Sequence, residues 1–259
     1  MITKTELDKL VEKYENEDFI KDDPIQFIYR GKSREESELF GFISSLFAYG
    51  NRKIFIKTLD EIFNRTNNDI LNYIKNGDFK NLQGIGYRFS KDYDIIPMFN
   101  ILHKLYTESR GLEELFAYSY TPDRGNNYDH YLEKVVDYFY SRAPKNAGQG
   151  FYHMIPNPKK GGAMKRMNMF LRWMVRKSPV DIGVWDFMKP ADLYIPLDVH
   201  VARQSRAMGL LGRKSNDYIA AKELTEKLKE FCPEDPIKYD FAMFAFGVKL
   251  NKTEGTRNE

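Results

Sequence analysis

The chain has 259 residues, 42% hydrophobic and 15% aromatic, enough to bury a large core as one domain or as two lobes. It has no run of about 18 apolar residues and no apolar leader at its charged start, which leads us to expect a soluble, cytoplasmic protein; a single cysteine (Cys232) and four histidines argue against a disulfide, a thiolate zinc site or an iron–sulfur cluster, so no metal or other cofactor is expected. The net charge of +3 hides an asymmetry: Tyr138 to Pro179 carries nine Lys plus Arg and no Asp or Glu, a pattern that suits either a cationic surface facing a polyanion or a helix face balanced by carboxylates elsewhere.

Apolar residues recur at helical spacing almost throughout. Ser33-Arg34-Glu35-Glu36 predicts a capping box opening a helix through Leu46, and Ile54 to Phe63 forms a second helix after the break at Tyr49-Gly50-Asn51. Further helices are expected over Ile95 to Tyr106, Tyr128 to Tyr140, Met164 to Arg176, Val199 to Met208, Tyr218 to Phe231 and Ile237 to Leu250. Asp198 and Asp235-Pro236 stand where N-caps belong, and Gly209 stands where a helix ends. Strand-like alternation is almost absent, so the expected class is all-α.

The chemistry concentrates between Ile155 and Gly209. A Gly-containing hairpin precedes a helix opened by Lys165, and Asp198 caps a later one, an arrangement whose exposed amides suit a phosphate. Helical spacing places Lys165, Met169, Arg172 and Arg176 on one face, read as cationic, and Met164, Met167, Phe170, Leu171 and Met174 on the core side. Trp173 and Trp185 read as core.

These residues resemble the helix-hairpin-helix DNA glycosylases that include endonuclease III and the 8-oxoguanine glycosylases. The resemblance rests on Lys165 at the start of the helix after the hairpin and on the run Pro196-Leu197-Asp198-Val199-His200-Val201-Ala202-Arg203. The 33-residue separation of Lys165 and Asp198 is similar to the archaeal 8-oxoguanine glycosylase branch. Upstream, Leu39 to Phe63 looks like the helix pair whose turn inserts a side chain into DNA, and Gly84 to Arg88 followed by Ile95 to Tyr106 looks like a later turn and helix of that fold. The hairpin IPNPKKGGAMK is longer than the family's usual one, and Tyr49 stands where a polar wedge is usual. The chain is also similar to a bacterial family of about this length, without assigned function, that shares YGNR, RWMVRK-x-x-VD and PLD-x-H motifs.

What the glycosylase resemblance implies is a single unit over residues 1–259, with two helical lobes flanking a cleft, that binds double-stranded DNA containing a damaged base. It would act as a monomer, excise an oxidised purine such as 8-oxoguanine, and carry AP lyase activity. Lys165 would attack the sugar C1′, and Asp198 would take its proton and stabilise positive charge on the sugar. Met169, Asp240 and Phe244 would hold the flipped base; Tyr49, Asn51, Arg52, Tyr87, Arg88, Lys159, Lys160 and Arg203 would touch DNA. Plainer readings stand beside these: Tyr49 and Tyr87 as hydroxyl-anchored core aromatics, Met169 and Phe244 as core, and Asp240 paired with Lys238 or Lys249 on the surface. Two other functions compete, a non-catalytic helix-hairpin-helix module that binds DNA structure, and a glycosylase for RNA or another modified base.

Overall fold

The computed structural model describes residues 2–109, 111–120 and 128–255, with the side chains of 128–130 and 248–255 outside that description. The fold is all-α. In chain order the helices are α1 (Lys4–Tyr14), α2 (Arg34–Phe47), α3 (Arg52–Arg65), α4 (Ile70–Asn76), α5 (Asp92–Glu108), α6 (Leu112–Ser119), α7 (Tyr128–Tyr140), α8 (Gln149–Met154), α9 (Lys165–Val175), α10 (Val199–Ala207), α11 (Tyr218–Lys229) and α12 (Tyr239–Gly255). The sheet among the described residues is one two-residue hairpin before α5, β1 (Gly86–Tyr87) with antiparallel β2 (Ser90–Lys91).

The chain divides into two compact units, one made of Asp23–Lys160 and the other of Met1–Asp22 with Gly161–Glu259. The division falls inside the hairpin that precedes α9.

In the unit of residues 23–160, α2 is the centre. It is buried on nearly every side, as a helix apolar around most of its circumference must be. Phe40 packs on Phe63 of α3, Phe63 on Phe27, and Phe42 stacks on Phe139 of α7. The Ser33 hydroxyl caps α2 by accepting from the Glu36 amide at 3.2 Å, but the expected box is half made, because the Glu36 carboxylate accepts from the Lys32 amide at 2.6 Å instead.

In the other unit, α12 packs on both α1 and α10. Gly247 allows the close approach to α10: a Cβ there would meet the Gln204 and His200 side chains at 3.2 and 3.4 Å. Trp173 and Trp185 lie in the core as expected. At the N-terminus of α1, Thr3 and Glu6 form a full capping box. Asp235 does not cap the turn that follows it; its carboxylate is drawn to Arg176 Nε at 2.7 Å.

Candidate active site

Lys165 and Asp198 are brought together by a segment that runs back across α9. Leu193 to Leu197 is buried between α9 and α11, with the Ile195 amide donating to Thr225 Oγ1 at 3.0 Å and the Ile195 carbonyl accepting from Asn168 Nδ2 at 3.4 Å. Asn168 lies one turn after Lys165, so the helix that carries the lysine also holds the strand of chain that delivers the aspartate. Asp198 then opens α10: its Oδ1 accepts from the amides of His200 and Val201 at 2.8 and 2.9 Å. Its Oδ2 lies 3.9 Å from Lys165 Nζ, with the lysine side chain 31% and the aspartate side chain 16% exposed. One oxygen therefore secures the helix and the other faces the amine, in a place solvent can reach.

Lys165 is the first residue of α9, and Met164 before it takes a left-handed backbone (φ 50°) while its side chain is buried. The loop ahead of it is fixed by Gly161, whose carbonyl accepts from the Tyr218 amide at 3.1 Å, and by a bridge from Gly162 to Asp217.

The remainder of the α9 face departs from expectation. Arg172 and Arg176 are buried, not presented to a phosphate backbone. Arg172 donates from Nε to Asp181 at 3.1 Å and pairs with Asp240; Arg176 pairs with Glu15, donates to Asp181 at 3.0 Å and reaches Asp235. Burial without ionic partners would cost several kcal/mol per guanidinium, and carboxylates from α1, the 178–181 turn, residue 235 and α12 supply those partners. Lys159 likewise faces Glu133 and Asp137 of α7 at 3.8 and 3.5 Å, and Lys177 meets Asp186 at 3.4 Å. The acid-free stretch is balanced by acids from elsewhere in the chain at much of its length.

The three residues expected to hold a base are placed as follows. Met169 is buried, Phe244 is half-buried with its ring edge-on to His200 at 5.9 Å, and Asp240 is 4% exposed. Asp240 is not a surface partner of Lys238, which pairs with Asp8 at 2.7 Å; the Lys249 side chain lies outside the described residues. Burial pushes the Asp240 carboxyl up to about 7 against the pull of Arg172, and Asp198 adds to the rise.

In the unit of residues 23–160, the turn between α2 and α3 and the β1–β2 hairpin are locked together. The Tyr49 hydroxyl donates to the Tyr87 carbonyl at 3.1 Å, the Tyr87 hydroxyl donates to the Tyr49 carbonyl, and the two rings lie 4.9 Å apart. Tyr87 is buried and anchors the turn through its hydroxyl, so it presents no side-chain surface to DNA; Tyr49 is half-buried. Asn51 caps α3, accepting from the Ile54 amide at 3.3 Å. Arg52 is half-buried, while Arg88, Lys159, Lys160 and Arg203 are exposed.

Sequence reasoning missed Phe89, 57% exposed at the hairpin tip, with Arg88 over its ring and His153 beneath it at 4.9 Å. The signal was available: an aromatic after Arg88, in a turn too short to bury it. It also missed Asn168, Glu15 and Asp181 as the groups that fix α9.

Among the described residues, no group of three or more His, Cys, Asp or Glu side chains could hold a metal ion, and no helix is long and apolar enough to cross a membrane. No curated protein and no solved structure matches the chain. A family model described as protein of unknown function (DUF2400) matches residues 23–249, so the chain belongs to that family.

Proposed function

We propose that the protein is a DNA-repair glycosylase with AP lyase activity, acting on a damaged base in double-stranded DNA in the cytoplasm. The observation that carries this reading is the pairing of Lys165, on the exposed first turn of α9, with the free oxygen of Asp198 at 3.9 Å. A plain N-cap needs one carboxylate oxygen, and here the second is turned toward an amine.

The chemistry that follows is balanced by these two groups. Lys165 passes a proton to Asp198 Oδ2, the 3.9 Å gap closing by rotation of the flexible lysine stem. The amine lone pair forms the Nζ–C1′ bond as the C1′–base bond breaks, and the base leaves with that bond's electron pair and takes the proton from Asp198 Oδ2, which restores the carboxylate. An Nζ proton passes to O4′ as the C1′–O4′ bond breaks, giving the protonated Schiff base, after which the Asp198 carboxylate takes a C2′ proton and the C3′–O bond breaks to expel the 3′ phosphate. Once restored, the Asp198 carboxylate stabilises the positive charge of the Schiff base electrostatically.

The base must first leave the stack. The exposed Phe89 ring, with Tyr49 behind the same turn and Arg88 beside it, offers a stacking and phosphate-binding surface, and the half-buried Phe244, beside His200 on the first turn of α10, offers an apolar contact. An oxidised purine such as 8-oxoguanine is the substrate class this reading favours.

The test is borohydride trapping of the full chain on abasic DNA and on a panel of damaged duplexes. A covalent adduct that disappears in Lys165→Gln is the expected result. DNA binding with no adduct on any substrate would leave a non-catalytic DNA-binding module, and adducts confined to RNA or to another modified base would redirect the substrate.

A further inference from the structure

Two turns along α9 from Lys165 lies a buried charge cluster that the chemistry above leaves unused. Two guanidiniums, Arg172 and Arg176, meet four carboxyls, Glu15, Asp181, Asp235 and Asp240. Arg172, Arg176, Asp181 and Asp240 are each no more than 5% exposed. With all four carboxyls ionised the cluster would hold two uncompensated negative charges, which a low-dielectric interior disfavours strongly enough that a carboxyl takes up a proton.

Hydrogen bonds and burial together say which carboxyl that is. Glu15 uses both oxygens on Arg176, and Asp181 accepts from both guanidiniums and from the Ser178 hydroxyl. Asp235 also reaches a guanidinium through one oxygen, Oδ2 on Arg176 Nε, and its Oδ1 is buried without a partner, but a quarter of its side chain is in solvent, whereas Asp240 is only 4% exposed. Asp240 reaches a guanidinium through Oδ2 alone, on Arg172, and it feels the like charge of Asp198 as well as the opposite charge of Lys165. Charged groups packed around α12 are engaged elsewhere: Lys238 and the Tyr239 hydroxyl with Asp8 of α1, and Glu15, at the C-cap of α1, with Arg176, while His200 of α10 meets the Phe244 ring.

We propose that Asp240 carries the cluster's proton and is a positioning residue for Lys165: as a neutral acid it removes a buried anion from the field of the ammonium, easing transfer of the lysine's proton to Asp198. The raised Asp240 carboxyl, near 7, agrees with this placement. The inference rests on the glycosylase reading for its purpose but not for its physics. It also replaces base recognition as the role of Asp240, since its Oδ2 is occupied by Arg172 in a buried pair.

Two measurements on the full chain test it. The carboxyl carbon of Asp240, followed by NMR in the wild type, should titrate near neutral pH; a signal that stays ionised from about pH 5 to about pH 9 overturns the proposal. The acylation rate of the Lys165 amine, read by mass spectrometry, should coincide in wild type and Asp240→Asn on the acid side of that titration. On the alkaline side the wild type should lag several-fold, because its ionised Asp240 then holds the ammonium. A structural role alone would give no split that depends on pH, and rates parallel across the range overturn the proposal. Borohydride adducts on abasic DNA, which has no base to read, should show the same split; absence of adduct in the wild type removes the glycosylase reading while the amine result stands.

Discussion

Of the two oxygens of Asp198, Oδ1 takes both amide bonds at the head of α10, and Oδ2 is turned to Lys165. The two duties separate by substitution. In Asp198→Asn the side-chain oxygen can still cap, so the melting temperature should move by no more than a degree or two, whereas loss of the proton acceptor should cut adduct formation on abasic DNA by roughly 100-fold. Asp198→Ala should lose the cap as well, about 1 kcal/mol. Equal loss of activity and stability in the two variants would make Asp198 only a cap. Asn168 acts at one remove, tying α9 to the Ile195 carbonyl, and also to the Ala163 carbonyl at 3.2 Å. Asn168→Ala should cost about 1–3 kcal/mol by orphaning buried carbonyls, and should lower kcat more than it raises KM, because it loosens the approach of lysine to aspartate rather than DNA binding. Steady-state kinetics beside denaturant unfolding distinguish these outcomes.

At the scale of elements, α9 is held by its arginines and the β1–β2 hairpin by Gly150 of α8. Removing Arg172 as Arg172→Met leaves Asp181 and Asp240 buried around an apolar chain, an expected loss of about 3–5 kcal/mol in chemical unfolding. At the hairpin, a Cβ on Gly150 would sit 2.3 Å from the Phe89 carbonyl oxygen and 2.2 Å from Asp94 Oδ2, so α8 docks only because residue 150 has no side chain. Gly150→Ala should therefore destabilise by about 2–3 kcal/mol and weaken DNA binding through Phe89, while leaving Lys165 amine reactivity unchanged. Most of the long helices were legible because periodicity and capping chemistry are local, and the Ser33 and Asp198 caps stand where their residue types imply; α1, eleven residues with its Thr3–Glu6 box, was missed, and Asp235 does not cap. The short helices α4, α6 and α8 were not legible, since six to eight residues carry barely two turns of periodic signal. For the same reason the arginines of α9 were misplaced. Spacing put them on the Lys165 side correctly, but their acids lie as far as 161 residues away in the chain, and a face ringed by distant carboxylates looks cationic until it is folded.

Across the whole molecule, charge placement matters more than the small net charge. The RWMVRK-x-x-VD run is now accounted for as the two arginines and the aspartate of the buried cluster, which frees the cationic surface to be sought at Arg88, Lys160 and Arg203. That cluster also sets how stability depends on pH. The Asp240 carboxyl is raised from an ordinary 3.8 to about 7, chiefly by burial, so the folded chain binds its proton more tightly than the unfolded one, and the stability this contributes is full below about 4 and is lost as pH rises toward 7. Asp8 has the opposite sign: burial alone would raise it, but hydrogen bonds from Lys238, Lys4 and Tyr239 hold it down at about 2, so its contribution is present above about 4 and fades as pH falls toward 2. The two windows meet near pH 4. Comparing wild type with Asp240→Asn isolates the first, because the variant has no proton to release there. Unfolding followed by tryptophan fluorescence is suited to the comparison, since both tryptophans, Trp173 and Trp185, lie in the unit that holds the cluster. Relative to the variant, the wild type should lose on the order of 3 kcal/mol between pH 4 and 7, and curves that stay parallel would mean Asp240 is ionised in the folded protein.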